Sequence, residues 1–347
     1  MKKYIHILTA LTLLAASCAK SEVNYEPSGQ VTLAPVKGNV TKAEGKEGAL
    51  KTLAQDQDLN IYAFWTHEVE GKETTDYYIM GDRFTYNSSY GAWAGAKGSY
   101  PWPLHGTLSF AGYTTMPATQ KAVASYNEGN IIAISDYVND EFDFCWFGLT
   151  EGCNNKVDGA AVEVTLNHAL TWITIKAYGE GTPVGRWKIN SLALEEAVTI
   201  GKATGKGGTG MTTWQVQPLY DDDGTTILDD GINDYTLEDN LGEDNLGHTI
   251  QEPVMKEDTK TGTLLTDNII IPQTPTNLII NYSYQVGTET RTDSKKVSLG
   301  LGKKDGEDIL WESGKHYTYT LIFKSNDIQV APSFGTWGSA DQNITVE

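Results

Sequence analysis

Apolar residues recur at every second position through most of the chain, which is the period of a half-buried β-strand. Val31, Leu33 and Pro35 alternate in residues 30–36 and predict a short strand that ends at the proline. Leu59, Ile61 and Ala63 share one face of the next strand, 59–65. Strands are expected again at 77–80, 83–86, 90–93 and 108–113, and at Phe142, Phe144 and Trp146, which alternate with Asp143 and Cys145. Residues 118–127 carry weak helical character, enough for one short helix at most. In the second half, strands are expected at 187–194, 212–216, 263–271, 278–286, 297–301, 317–323, 328–331 and 344–346. Short strands at regular spacing, separated by turn signals, indicate an all-β chain of sandwiches.

The alternation changes phase once. Val162, Val164 and Leu166 occupy even positions, whereas Ala169, Ile173 and Ile175 occupy odd ones. A one-residue slip turns every side chain to the opposite face, so the strand must break near Asn167-His168. This predicts two tandem β-sandwich domains, 30–167 and 168–347. The second carries an acidic insertion, 220–247, with a five-residue duplication (Glu238-Asp239-Asn240-Leu241-Gly242, then Glu243-Asp244-Asn245-Leu246-Gly247). Residues 37–57, with lysines at 37, 42, 46 and 51, read as a long exposed linker.

The first residues follow a different pattern. Lys2-Lys3 precede an apolar run from Ile5 to Ala16, too short to span a bilayer, which takes about 20 residues. A basic start, a short apolar core and small residues mark a secretory signal. Leu14-Ala15-Ala16-Ser17-Cys18 resembles a bacterial lipobox. That resemblance implies a signal peptide at 1–17, cleavage between Ser17 and Cys18, and acylation of Cys18 by palmitate-type chains. Two or more chains anchor stably, at about 0.8 kcal/mol per buried CH₂. Ala19 in place of Asp points to the outer membrane by the same resemblance. Residues 18–29 then serve as a flexible tether.

The net charge is −19, and loss of Lys2 and Lys3 with the signal takes it to −21. So acidic a chain is not a nucleic-acid binder, because phosphate contacts need cations. Its membrane contact is expected through lipid alone. The 35 Gly and 18 Tyr suit pleated strands with tight turns. Besides Cys18 there are two cysteines, Cys145 and Cys153, which in an oxidising envelope either form a disulfide or stand as separate thiols.

Catalytic and cofactor signals are weak. Leu219 and Leu228 stand where the acidic stretches would need calcium ligands. Gly205, Gly207 and Gly210 match a dinucleotide fingerprint in spacing, but a strand-like stretch follows where a helix is required. The six histidines, at 6, 67, 105, 168, 248 and 316, show no paired zinc spacing, and no nucleophile elbow occurs. No cofactor, metal or catalytic residue is expected, and His168 and His316 read as hydrogen-bonded structural residues.

Several motifs in order resemble the fimbrillin family, the type V pilins and their relatives. They are the lipobox, Val40-Thr41-Lys42-Ala43, Tyr100-Pro101-Trp102-Pro103, Leu166-Asn167-His168-Ala169-Leu170, Ile270-Ile271-Pro272-Gln273, and Trp311-Glu312-Ser313-Gly314-Lys315-His316-Tyr317. The resemblance implies two transthyretin-like sandwiches, an outer-membrane lipoprotein precursor and a place in a fimbrium as shaft, tip or anchor. It also implies a cut after a basic residue of the linker, here Lys42 or Lys46, with lysine standing where arginine is usual. That cut would release the strand of Val31, Leu33 and Val36. A donor strand from another fimbrillin-like subunit would then fill the groove. Ile328, Val330, Ile344 and Val346 are the donor candidates. The role the resemblance implies is non-enzymatic adhesion, toward a host or bacterial surface ligand. The alternative is a surface glycan-binding outer-membrane lipoprotein, whose tryptophans would stack on sugars, and a hydrolase comes third. Replacing Cys18 with Ala should release the protein from membranes. Retention of Cys18→Ala in the floated membrane fraction after a high-salt wash would refute the anchor.

Overall fold

The computed structural model describes residues 29–37, 51–127, 131–140, 142–154, 160–181, 187–206, 212–221, 223–237, 248–249, 254–256, 259–304, 306–324, 327–336 and 342–343. Among them the chain is all-β. It opens with β1 (Thr32–Lys37), β2 (Lys51–Thr52), β3 (Leu59–Val69), β4 (Lys72–Asn87), β5 (Ala92–Gly95) and β6 (Thr107–Thr114). The hairpin β7 (Val123–Asn127) and β8 (Ile131–Val138) follows, then β9 (Cys145–Cys153) and β10 (Val162–His168). Next come β11 (Thr171–Gly179), β12 (Trp187–Val198), β13 (Ile200–Lys206) and β14 (Thr212–Val216). A small hairpin, β15 (Leu219–Tyr220) and β16 (Ile227–Asp229), precedes β17 (Ile232–Thr236) and β18 (His248–Thr249). The chain ends with β19 (Val254–Lys256), β20 (Thr259–Thr261), β21 (Thr263–Ile270), β22 (Asn277–Val286), β23 (Glu289–Ser298), β24 (Lys303–Lys304), β25 (Glu307–Asp308), β26 (Lys315–Phe323), β27 (Ile328–Thr336) and β28 (Gln342–Asn343).

The first sheet runs β10-β9-β6-β3-β4-β5-β1-β2, and a further β1–β10 pairing closes it on itself. Inside lie Leu59, Ile61, Ala63, Phe84, Trp93, Phe110, Val162, Val164 and Leu166. Two further sheets, β21-β11-β26-β27-β28 and β17-β12-β22-β23, contribute to a second core. Ile173, Ile175, Leu192, Ile280, Tyr319 and Phe323 fill that core.

Between them sits a sheet shared by both halves, β14-β13-β8-β7. Ile131–Val138 pairs with Ile200–Lys206, so the strand sets cross the expected division at 167/168. This sheet covers faces that alternation alone leaves outside. Phe64, Tyr113, Phe144 and Trp146 pack there with Ile132, Ile134, Leu170, Trp172 and Ile269. The phase shift is the point where the chain changes sheets. Val162 belongs to the first core and Ile173 to the second, with Ala169 and Leu170 fully buried between them.

The structure departs from five local expectations. Residues 123–127 are strand, because pairing Val123–Asn127 with Ser135–Ile131 overrides a weak helical propensity. The strand at Pro35 continues to Lys37. The missing proline N–H is tolerated there, since the Pro35 carbonyl still accepts from Leu53 N–H at 3.1 Å. The linker is shorter than expected, because β2 pairs with β1 and Leu53 is buried. Residues 77–86 lie in one strand, with Gly81 (φ 76°) absorbed as an extra residue opposite Ile61-Tyr62, a bulge that needs the left-handed region. The acidic insertion also supplies structure: β17 is an edge strand on β12, and Leu237 is buried in the second core.

One close approach fixes the spacing of the first sheet. A Cβ on Gly112 would lie 2.5 Å from the Asn60 carbonyl and 2.8 Å from Ile61 Cδ1. Gly112→Ala should therefore destabilise the fold by about 1–3 kcal/mol. Gly98, with nothing within 4 Å, should accept Ala within about 0.5 kcal/mol. Equal denaturant midpoints for the two variants would contradict this packing.

Candidate functional site

The strand that closes the first sheet is the feature on which a function can be built. On one side β1 runs parallel to β10, from Leu33 opposite Val162 to Lys37 opposite Leu166. On the other it pairs antiparallel with two short strands in turn. Thr32 and Leu33 face Ala94 and Trp93, then Val36 and Lys37 face Thr52 and Lys51. Both edges of the remaining sheet are therefore satisfied by one strand.

Its entry is held by the motif with two prolines. Val31 N–H donates to the Tyr100 carbonyl (2.8 Å), Trp102 N–H donates to the Gly29 carbonyl (3.1 Å), and Gln30 bridges Pro101. Tyr90 Oη donates to Gln30 Oε1 (3.1 Å). Tyr78 Oη donates to the Pro101 carbonyl, and Tyr100 Oη to Asp82 Oδ2 at 2.5 Å. Burial and the Asp82 hydrogen bond push the Tyr100 phenol up to about 12. Its two prolines keep this motif out of a regular strand, yet it is the partner of residues 29–31. No local pattern reveals that partnership, because the two stretches lie some 70 residues apart.

Val31 and Leu33 are both 0% exposed and pack in the first core with Trp93, Trp102 and Phe84. Trp93 is itself fixed by its Nε1–H donating to the Gln57 carbonyl (2.8 Å). Complete burial of two such side chains stabilises by roughly 3–6 kcal/mol, as an upper bound. A whole domain is stable by only about 5–15 kcal/mol. Removing β1 would thus take away a large part of the stability and expose two sheet edges.

The other expected site residues are placed unevenly. Ser17, Cys18, Lys42, Lys46, Ile344 and Val346 lie outside the described residues. Val36 is paired through its backbone. Ile328 and Val330 sit in β27, which pairs along the whole of β26, with Ile328 buried in the second core. These two donor candidates therefore complete their own sandwich. Cys145 and Cys153 carry separate thiols at the two ends of β9. Eight steps of extended chain span about 26 Å, far beyond the Cα separation of at most about 7 Å that a disulfide allows.

The features that would favour the other readings are weak. Of the eight described tryptophans none is exposed: Trp65 and Trp214 are half-buried and the other six buried. A hollow beside Thr274, Pro275, Leu301 and Ile309 contains one carboxylate, Asp308, near Lys303 Nζ at 3.6 Å, and so offers no carboxylate pair. Asp221 and Asp223 are engaged within their own hairpin, accepting from Thr225 and Thr226. Those hydrogen bonds, led by Thr226, hold the Asp221 carboxyl below its usual range. His316 stacks on Trp172 (centroids 3.9 Å apart), with Nε2 2.8 Å from Thr174 Oγ1.

Comparison with known proteins agrees with this architecture. The structure of a fimbrial protein from Bacteroides vulgatus superposes with a TM-score of 0.52 at 18% identity, covering 88% of this chain and 99% of the other. A protein described as a candidate cell adhesion protein from Bacteroides uniformis gives 0.49 at 15% identity, covering 89% and 99%. No curated protein matches the sequence. The fimbrillin-like family profile matches residues 41–337. With that match over most of its length, the chain belongs to the fimbrillin-like family.

Proposed function

We propose that this protein is a non-enzymatic, surface-exposed subunit or accessory component of a fimbrium, joined to its neighbours by exchange of β1. The observation that carries the reading is the seat of β1. Leu33 of β1 and Val31 just before it are completely buried, and the strand satisfies two sheet edges. Between it and β2 lie only residues 38–50, which carry Lys42 and Lys46.

A strand joined to the rest of the fold by one covalent connection is lost after a single cut. The groove it leaves has unpaired backbone and apolar pockets, an unstable surface that another strand relieves. The family membership and the fimbrial neighbour support an adhesive, cell-surface role. Cys18 would hold the precursor on the outer membrane through lipid, and an uncut copy would serve as tip or anchor. Because β27 is occupied in its own sandwich, the donor is drawn from the residues beyond Thr336, where Ile344 and Val346 alternate.

A chain starting at Ala43 should form SDS-resistant oligomers. The same chain ending at Thr336 should stay monomeric, since β27 remains intact and the donor is gone. A peptide of residues 29–37 should block the oligomers by refilling the seat. If the Ala43 chain keeps its β-sheet circular dichroism and stays monomeric at high concentration, exchange by this route is refuted.

A further inference from the structure

The first sheet brings together three metal-ligating side chains that no sequence spacing reveals. Cys145 and His168 are direct partners in the β9–β10 ladder. Residues opposite each other on antiparallel strands project to the same face, with Cβ atoms about 4.5–5.5 Å apart. Asp143, two residues before Cys145, lies on that face as well. Cys145 Sγ is 3.5 Å from His168 Nδ1 and 3.3 Å from Asp143 Oδ1, and His168 Nδ1 is 2.7 Å from Asp143 Oδ1. Cys145 and His168 are buried, and Asp143 is half-buried with its side chain 16% exposed.

We propose that Asp143, Cys145 and His168 form a binding site for a thiophilic divalent cation, zinc in the first place. The three donor atoms make a triangle small enough for one ion to touch all of them. With sides of 3.5, 3.3 and 2.7 Å, a point slightly out of its plane lies within ordinary zinc–ligand lengths, about 2.0–2.3 Å, of every corner. The two longer sides already match the separation that tetrahedral angles impose on sulfur and a nitrogen or oxygen ligand. The short side is a hydrogen bond that would open by about 0.6 Å when the ion replaces the shared proton. A thiolate, a carboxylate and a neutral imidazole together carry two negative charges, which a divalent ion cancels. The mixture of sulfur, nitrogen and oxygen donors suits zinc over calcium or magnesium. Binding releases the thiol proton to solvent, and the proton between His168 Nδ1 and Asp143 moves to His168 Nε2, so that the imidazole stays neutral. Three protein donors leave one position for water.

The location gives such a site a structural consequence. His168 is the last residue of β10, and the chain passes to the second core through Ala169 and Leu170. The Ala169 carbonyl accepts from Trp214 Nε1 (2.7 Å) and Ser313 Oγ (2.9 Å), and Ala169 N–H donates to the Phe144 carbonyl (3.0 Å). A cation bound by Asp143, Cys145 and His168 would staple the crossover between the two cores at its first-sheet end.

The test uses the full chain, purified metal-free and titrated with Co²⁺ alone. The expected result is one equivalent bound, with the thiolate-to-cobalt charge-transfer absorption. That absorption should persist in Cys153→Ser and vanish in Cys145→Ser. Loss of an outer-shell partner alone weakens metal sites by about 10–100-fold, so His168→Gln and Asp143→Asn should cost at least that much. Zn²⁺ should raise the melting temperature of the chain and of Cys153→Ser, and leave Cys145→Ser unchanged. Absence of the absorption in the folded chain overturns the proposal, as does its survival in Cys145→Ser. Should Cys145→Ser fail to fold, Asp143→Asn decides, because that side chain is partly exposed. An unchanged affinity in Asp143→Asn also overturns the site.

Discussion

A β-sheet has two edges, and each edge is a row of backbone groups that must be paired or solvated. In the first sheet one strand of six residues, β1, meets this requirement on both sides. It runs parallel to β10 and antiparallel to β5 and β2, so the ring of strands closes through it. Leu33 of that strand and Val31 just before it enter the core, and its entry is clasped by Tyr100-Pro101-Trp102. Edge satisfaction, core filling and closure thus depend on one segment near the start of the fold. In the exchange proposed above, this is the segment that a neighbour's strand would replace.

The two cores are not independent. The sheet β14-β13-β8-β7 draws strands from either side of the crossover and lays them over Phe64, Trp146 and Trp172. Trp146 Nε1–H donates to Thr212 Oγ1 (3.0 Å), linking β9 of the first sheet to β14. Ser313 reaches both the Ala169 carbonyl and that of Thr212, at 2.9 and 3.3 Å. Several separate stretches of chain therefore converge on one short crossover. Such convergence ties the two cores together through several hydrogen bonds, where a flexible linker would let them swing.

Much of this was legible in the sequence. Alternation at 59–63, 278–286 and 317–323 required strands, because only a period of two keeps Leu59, Ile61 and Ala63 on one face. The change of phase between Leu166 and Ile173 required a change of face, and in the structure the two residues fill different cores. The motifs that resemble fimbrillins led to the family that the profile identifies over residues 41–337.

What local pattern could not decide was which strand meets which. The pairing of β8 with β13 and the partnership of residues 29–31 with 100–102 are settled by the burial of surfaces far apart in sequence. The Asp143–Cys145–His168 cluster escaped for the same reason, since Cys145 and His168 meet only through their register on neighbouring strands. Cys145 and Cys153, near in sequence, are held apart because extended backbone separates them. The sequence by itself determined the period of two, the sheet-changing step at 167–171 and the apolar faces, since these depend on side chains a few residues apart. The tertiary structure alone decided closure through β1, the shared four-stranded sheet and the meeting of distant ligands. Those are choices among pairings of equal local merit, resolved by which of them buries the most apolar surface with every backbone group satisfied.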